Sequence, residues 1–225
     1  MVTTAPLTTK TTTNTTTDPS ADCRLCPRLT DFRRDNSKAH PDWHNAPVPS
    51  FGALTARLLV VGLAPGLRGA NATGRPFTGD WAGDLLYATL LATGLAEGVY
   101  DERADDGLRL IDCRISNAVR CVPPGNRPTS TEAASCRPFL AAEMRAMPRL
   151  RVIVAIGGFA HDAVLAARRL RKADYPFAHG RHHLLADGPH LVDSYHCSRL
   201  NTNTGRLTPE MFRSVFDMAL AAVGN

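Results

Sequence analysis

Leu58-Leu59-Val60-Val61-Gly62-Leu63 runs directly into Ala64-Pro65-Gly66, and this stretch decides the fold. Continuous apolar character over a strand's length, ended by a Pro-Gly break, suits a strand buried on both faces. Three further segments read the same way: Cys113–Val119, Val152–Ile156 and Leu191–Tyr195. Between and after them, Asp84–Leu95, Thr131–Met147, Phe159–Lys172 and Pro209–Val223 have helical periodicity. The alternation predicts an α/β fold, a three-layer sandwich with a central four-stranded parallel sheet. Ligands of such sheets bind beyond the carboxyl ends of the strands, so the chemistry should be written just after each strand.

The 225 residues suit one domain with a substantial core. Residues 1–17 contain ten threonines and a single charge, Lys10, and are expected to be a disordered tail. Residues 18–225 form the domain. Its first part, to about Gly52, is irregular, polar and Pro-rich, and needs something other than a core to fix it. The net charge of +5 and pI near 9.1 suit an anionic partner. With only three lysines, the excess is almost all arginine, which contacts phosphates and base edges in bidentate fashion. The chain contains no run of about 18 apolar residues and no secretory signal, so a soluble, cytoplasmic protein is expected. In a reducing compartment the six cysteines are available for metal or catalytic duty.

Three of the four strand ends are polar and rich in glycine or asparagine. The first continues through Gly66, Gly69, Gly74 and Gly79 to Asp80, a spacing that fits neither a Walker loop nor a dinucleotide fingerprint. Glycines here would let backbone amides approach a ligand closely, as in phosphate-cradling loops. The second strand delivers Asn117-Ala118-Val119-Arg120-Cys121 and the fourth His196-Cys197-Ser198-Arg199-Leu200. The third ends in Gly157-Gly158, a tight turn. Cys23-x2-Cys26 and Cys121-x14-Cys136 supply four soft ligands, enough for zinc or for an iron–sulfur cluster, and spacing alone does not separate the two.

GLAPGLRGANATGRPFTGD, NAVRCVPPGNRPT and HCSRLNTNTGRLT, with CRLCP ahead of them, resemble the signature segments of the family 5 uracil-DNA glycosylases, in the same order from about Asp22 to Thr208. The resemblance implies removal of uracil and related damaged bases from DNA, a [4Fe–4S] cluster on Cys23, Cys26, Cys121 and Cys136, and action as a monomer at the bacterial nucleoid. The bland alternative for Cys113 is a core thiol. Two other readings stay open: a non-catalytic iron–sulfur or zinc DNA-binding damage sensor, and a family 4 enzyme, against which Leu63 stands where that family carries a glutamate.

Within this resemblance each task of a base-flipping enzyme has a candidate. Phe77 would stack on the extruded ring, with Gly62 and Ala64 lining its pocket, and Asn117 would read the imide edge with one donor and one acceptor. His196 would stabilise charge on the departing base. Neither Leu63 nor Ala64 can accept a proton, so Asp80 is assigned to water or to the sugar cation; its alternative is a helix N-cap. Leu200 would fill the vacated stack, at a position where the family commonly has glutamine. Arg75, Arg127, Arg199 and Arg206 would meet phosphate. Cys197 replaces the proline that usually follows the family's histidine.

Overall fold

The computed structural model describes residues 17–186 and 188–224. The expected tail falls almost wholly on residues 1–16, outside the described residues. In chain order the elements are α1 (Pro27–Ala39), β1 (Leu58–Gly62), α2 (Ala70–Thr73), α3 (Trp81–Ala92), β2 (Ala96–Glu97), β3 (Arg109–Leu110), β4 (Cys113–Asn117), α4 (Ser130–Ala146), β5 (Val152–Ile156), α5 (Gly158–Ala167), β6 (His182–Leu184), β7 (His190–Ser194), α6 (Arg199–Asn203) and α7 (Pro209–Gly224).

The central sheet has the order β4-β1-β5-β7-β6, and its first four strands are parallel. It therefore contains the four expected strands plus a fifth, β6, antiparallel at the edge. Every residue of β1, β4 and β5 is buried, which explains the unbroken apolar character of β1 and β5, while β4 also buries the polar Arg114, Ser116 and Asn117. Leu58 and Val60 face a layer containing Leu86, Leu90, Phe212 and Phe216, while Leu59 and Val61 face Leu140, Met144, Val164 and Leu165. The alternation in β1 divides the three layers: α3 and α7 on one side, α4 and α5 on the other. Each fully buried aliphatic or aromatic side chain stabilises this arrangement by about 1.5–3 kcal/mol.

The segment expected to be irregular contains α1. Its buried positions, Leu29, Arg33 and Asn36, have helical spacing, but two of the three are polar, so no apolar stripe announces it. Both polar residues bond locally: Asn36 donates to the Phe32 carbonyl at 2.8 Å, and the terminal nitrogens of Arg33 donate to the carbonyls of Ala21 and Cys23.

A buried ionic network ties this N-terminal region to the sheet. Glu143, fully buried on α4, accepts from Arg114 Nε and Arg120 Nη2, both at 2.6 Å, and from the Ser116 hydroxyl at 2.7 Å. Arg120 also donates to Asp18 at 2.7 Å, and Arg28 of α1 pairs with Glu132 at 2.8 Å. Glu132 closes a capping box with Thr129 at the start of α4. The neighbouring arginines hold the Glu143 carboxyl below its usual range despite the opposing effect of burial.

Candidate active site

Strand order switches sides at β1, which lies between β4 and β5 and runs parallel to both, and a cavity of about 400 Å³ opens beyond the carboxyl ends there. Its wall includes Leu63, Ala64, Phe77, Asp80, Asn117 and His196, brought together from three separate segments. Leu63 and Ala64 follow β1, Asn117 is the last residue of β4, and His196 follows β7 by two residues.

Gly62 does not line the cavity itself. It pairs in register with Asn117, and a Cβ at this position would overlap both the Phe77 ring and the Asn117 carboxamide oxygen. Gly66 and Gly69 play the same part for Asp80, since a Cβ on either would overlap its carboxylate. The Gly-rich loop thus makes room for the protein's own side chains at these positions, and Gly66 also lines the cavity. Phe77 has φ of 54°, a left-handed conformation unusual for a bulky residue, and its ring belongs to both the core and the cavity wall.

Asp80 combines its two candidate placements. Its Oδ1 caps α3 by accepting from the Gly83 amide at 3.1 Å, and the residue also faces the cavity. Burial raises its pKa, outweighing the bonds from Gly83 and Ala82 that favour the carboxylate. Asn117 is only 3% exposed, yet among the described residues no protein group bonds its carboxamide. His196 has its pKa lowered by burial alone, so the neutral imidazole predominates at neutral pH, and its Nδ1 is buried without a partner. Unpaired polar atoms in a concave site are capacity for a ligand.

The rim holds residues the sequence reading did not single out. Trp81, the first residue of α3, lines the cavity beside Ser198 and Asn126. The one available signal was an aromatic residue immediately after Asp80 in an otherwise polar, Gly-rich stretch. Arg199 also lines the cavity, and its guanidinium lies 4.9 Å from the Trp81 ring centroid. Leu200 is 72% exposed beside it. Arg206 is exposed and stacks on Tyr195 at 4.5 Å, while the exposed Arg127 accepts from Arg28 through its carbonyl.

Arg75 is not available to phosphate. It is 4% exposed, grips both oxygens of Asp106 at 2.6–2.7 Å, and lies among the rings of Phe51, Tyr87 and Tyr100. Its charge is spent inside the fold, and it holds the Asp106 carboxyl far below the usual range.

The four paired cysteines gather at one corner, where α1 meets the start of α4. Cys121 and Cys136 are buried with Leu29 and Val119, and Cys26 packs against them. Burial pushes the Cys121 thiol up to about 12, and charge on Cys136, Cys23 or Cys26 would raise it further, so the four lie within mutual electrostatic reach. The Arg120 amide donates to Cys136 Sγ at 3.5 Å. Beside them the Arg33 Nε is buried without a partner. Among the described residues, no three His, Cys, Asp or Glu side chains converge as a single metal ion would require. Cys113 lies in β4 within the core, and Cys197 is fully buried, donating to the Ala82 carbonyl at 3.4 Å. No helix among the described residues is long and apolar enough to cross a membrane.

The sequence profile of the uracil DNA glycosylase superfamily matches residues 49–219. A protein of Thermus thermophilus named type-5 uracil-DNA glycosylase is 46% identical over 208 residues, covering 90% of this chain and 94% of its own. A protein of the same name from Mycobacterium leprae is 44% identical, covering 90% and 92%. A type-4 uracil-DNA glycosylase of Archaeoglobus fulgidus is 39% identical but covers only 50% of this chain and 49% of its own.

Proposed function

The chain belongs to the uracil DNA glycosylase superfamily, and from that premise we propose that it is a type-5 enzyme that excises uracil and related damaged bases from DNA. The observation that carries this reading is the cavity itself, where Asn117 and His196 present polar atoms with no protein partner next to the Phe77 ring. The like coverage of both chains in the type-5 comparisons, against half of each in the type-4 one, favours the type-5 reading.

In the proposed reaction the extruded base stacks on Phe77, and the Asn117 carboxamide pairs with its imide edge. The bond between the sugar C1′ and the base nitrogen breaks, and its electron pair leaves with the base. Neutral His196 donates a hydrogen bond to the base oxygen on which charge collects, an interaction that strengthens towards the transition state. Asp80, as carboxylate, faces the sugar and orients water; the water oxygen bonds to C1′ and the released proton balances the departing base. Leu200 enters the gap in the stack, and Arg199 meets the flanking phosphate, with Arg206 and Arg127 further out on the same polar segments.

The cysteine corner suits a [4Fe–4S] cluster. Support for this reading comes from the grouping of the four thiols at one corner and from Arg33 Nε, buried there without a partner among the described residues and a donor of the kind that thiolate sulfur accepts. When bound, the cluster would supply a structural tie between α1, Cys121 and α4. DNA in the nucleoid is the proposed partner, and the enzyme is proposed to act as a monomer.

Duplexes bearing uracil, hypoxanthine or ethenocytosine, incubated with the protein and then with alkali, test the function: strand cleavage at the modified base is expected. Binding without any product would favour the damage-sensor reading. Purified protein should be brown and carry iron and sulfide; colourless, fully active protein with stoichiometric zinc would remove the cluster.

A further inference from the structure

α6 has five residues, too few for a helix to hold itself in water, yet it carries Arg199 and the most exposed large apolar side chain, Leu200. Its order must come from tertiary contacts, and these converge on one residue of another element. The Trp81 indole Nε1 donates to the Thr202 hydroxyl at 2.8 Å, across 121 positions of sequence. The Arg199 guanidinium lies over the same indole. On the other side of α6, Asn201 Nδ2 donates to the His196 carbonyl at 2.8 Å. Next to Trp81, Ala82 accepts from the Cys197 thiol.

Trp81 stands at the start of α3, a twelve-residue helix whose first turn is fixed by the Asp80 cap. It is 44% exposed, so packing alone does not require its ring there. We propose that Trp81 is a positioning residue that latches α6 to α3 through Thr202 and Arg199, holding Leu200 in place to enter the base stack. The inference rests on the proposed glycosylase function. The latch matters most when the nucleotide must be pulled from a paired duplex, because an unpaired base has already lost most of the stacking and pairing that Leu200 would replace.

The test compares Trp81→Phe, which keeps a ring but removes the N–H, with Thr202→Val and with the double variant. Amide hydrogen exchange in the free protein reads the latch without reference to activity. Both single variants should lose protection at Thr202 and Thr204, whose amides bond back into this turn, with an unchanged melting temperature. Single-turnover excision of uracil opposite adenine should fall roughly 2- to 12-fold, the equivalent of one net hydrogen bond. Excision of uracil from an unpaired bubble by Thr202→Val, which does not touch the cavity wall, should hold within about twofold by the same reasoning. The double variant should be no worse than either single one. Unchanged exchange in both variants, equal losses on both substrates, or fully additive losses would each overturn the latch. Wild-type protein that releases no uracil from any DNA would instead strike the proposed function, and the exchange measurement would still decide whether Trp81 holds α6.

Discussion

The cavity beyond β1 and the cysteine corner beneath α1 treat buried polarity in opposite ways. In the cavity, the Asn117 carboxamide and His196 Nδ1 have no partners among the described residues, and Asp80 is held partly desolvated. Beside the cysteines, Glu143 is bonded by two arginines and a serine, and Glu132 by an arginine and its own cap. One region keeps bonding capacity for a ligand; the other uses nearly all of it to fix geometry. The exception is Arg33 Nε, buried without a partner among the described residues. Substitutions in the two regions should therefore separate activity from stability.

The largest effect is expected from the saturated side. Glu143→Ala leaves Arg114 buried without its carboxylate and Arg120 with Asp18 alone, and should cost about 3–5 kcal/mol of stability. Denaturant unfolding measures this, and a loss below 1 kcal/mol would mean that water or a shifted side chain repairs the gap. His196→Ala is its counterpart in the cavity: single-turnover excision should slow by about 2.7–4 kcal/mol on every substrate, with the melting temperature nearly unchanged. A large fall in melting temperature would make the residue structural.

Asn117→Ala sharpens the contrast within the cavity. If the carboxamide reads the base edge, uracil should lose about 1–3 kcal/mol relative to bases held by stacking alone. Equal losses for all substrates would assign Asn117 to chemistry or folding instead.

The smallest stability effect should come from Asp80, where the two regimes meet in one side chain. Asp80→Asn keeps the cap on α3, so activity should collapse while stability holds or rises. The sign follows from its raised pKa: the folded state holds the proton more readily, so carboxylate burial costs stability as pH rises from the unfolded value through the folded one. Asp80→Ala also loses the cap, at about 0.5–2 kcal/mol. Equal stability of the two variants would deny the capping role. In the wild-type enzyme the acid limb of the rate profile should lie above the ordinary aspartate range, because the carboxylate is lost at a higher pH.

Strands β1 and β5 were legible because both-face burial leaves an unbroken apolar run, β4 and β7 only through short apolar stretches such as Leu191-Val192 set among buried polar residues, and helices α3, α4, α5 and α7 because one face packs on the sheet. α1 escaped because its buried face is written in Arg33 and Asn36, and β6 because three exposed or half-exposed residues at an edge carry no pattern. For the site, strand-end position pointed to Asn117 and His196 and the family resemblance to Asp80, and all three line the cavity. Arg75 was misread because residue type cannot report that Asp106, 31 positions away, completes its fork. The Trp81 contact was invisible for the same reason, at far longer range.

The ionic ties of the N-terminal segment also set an order of events. Arg28 waits for Glu132 and Asp18 for Arg120, partners 104 and 102 positions downstream. At about 5–20 residues per second of synthesis, the first cysteine pair is out of the ribosome on the order of 5–20 s before the second pair exists. Through that interval Cys23 and Cys26 belong to a nascent chain with no sheet to dock on. The corner therefore closes late in biogenesis, no earlier than translation through α4 allows.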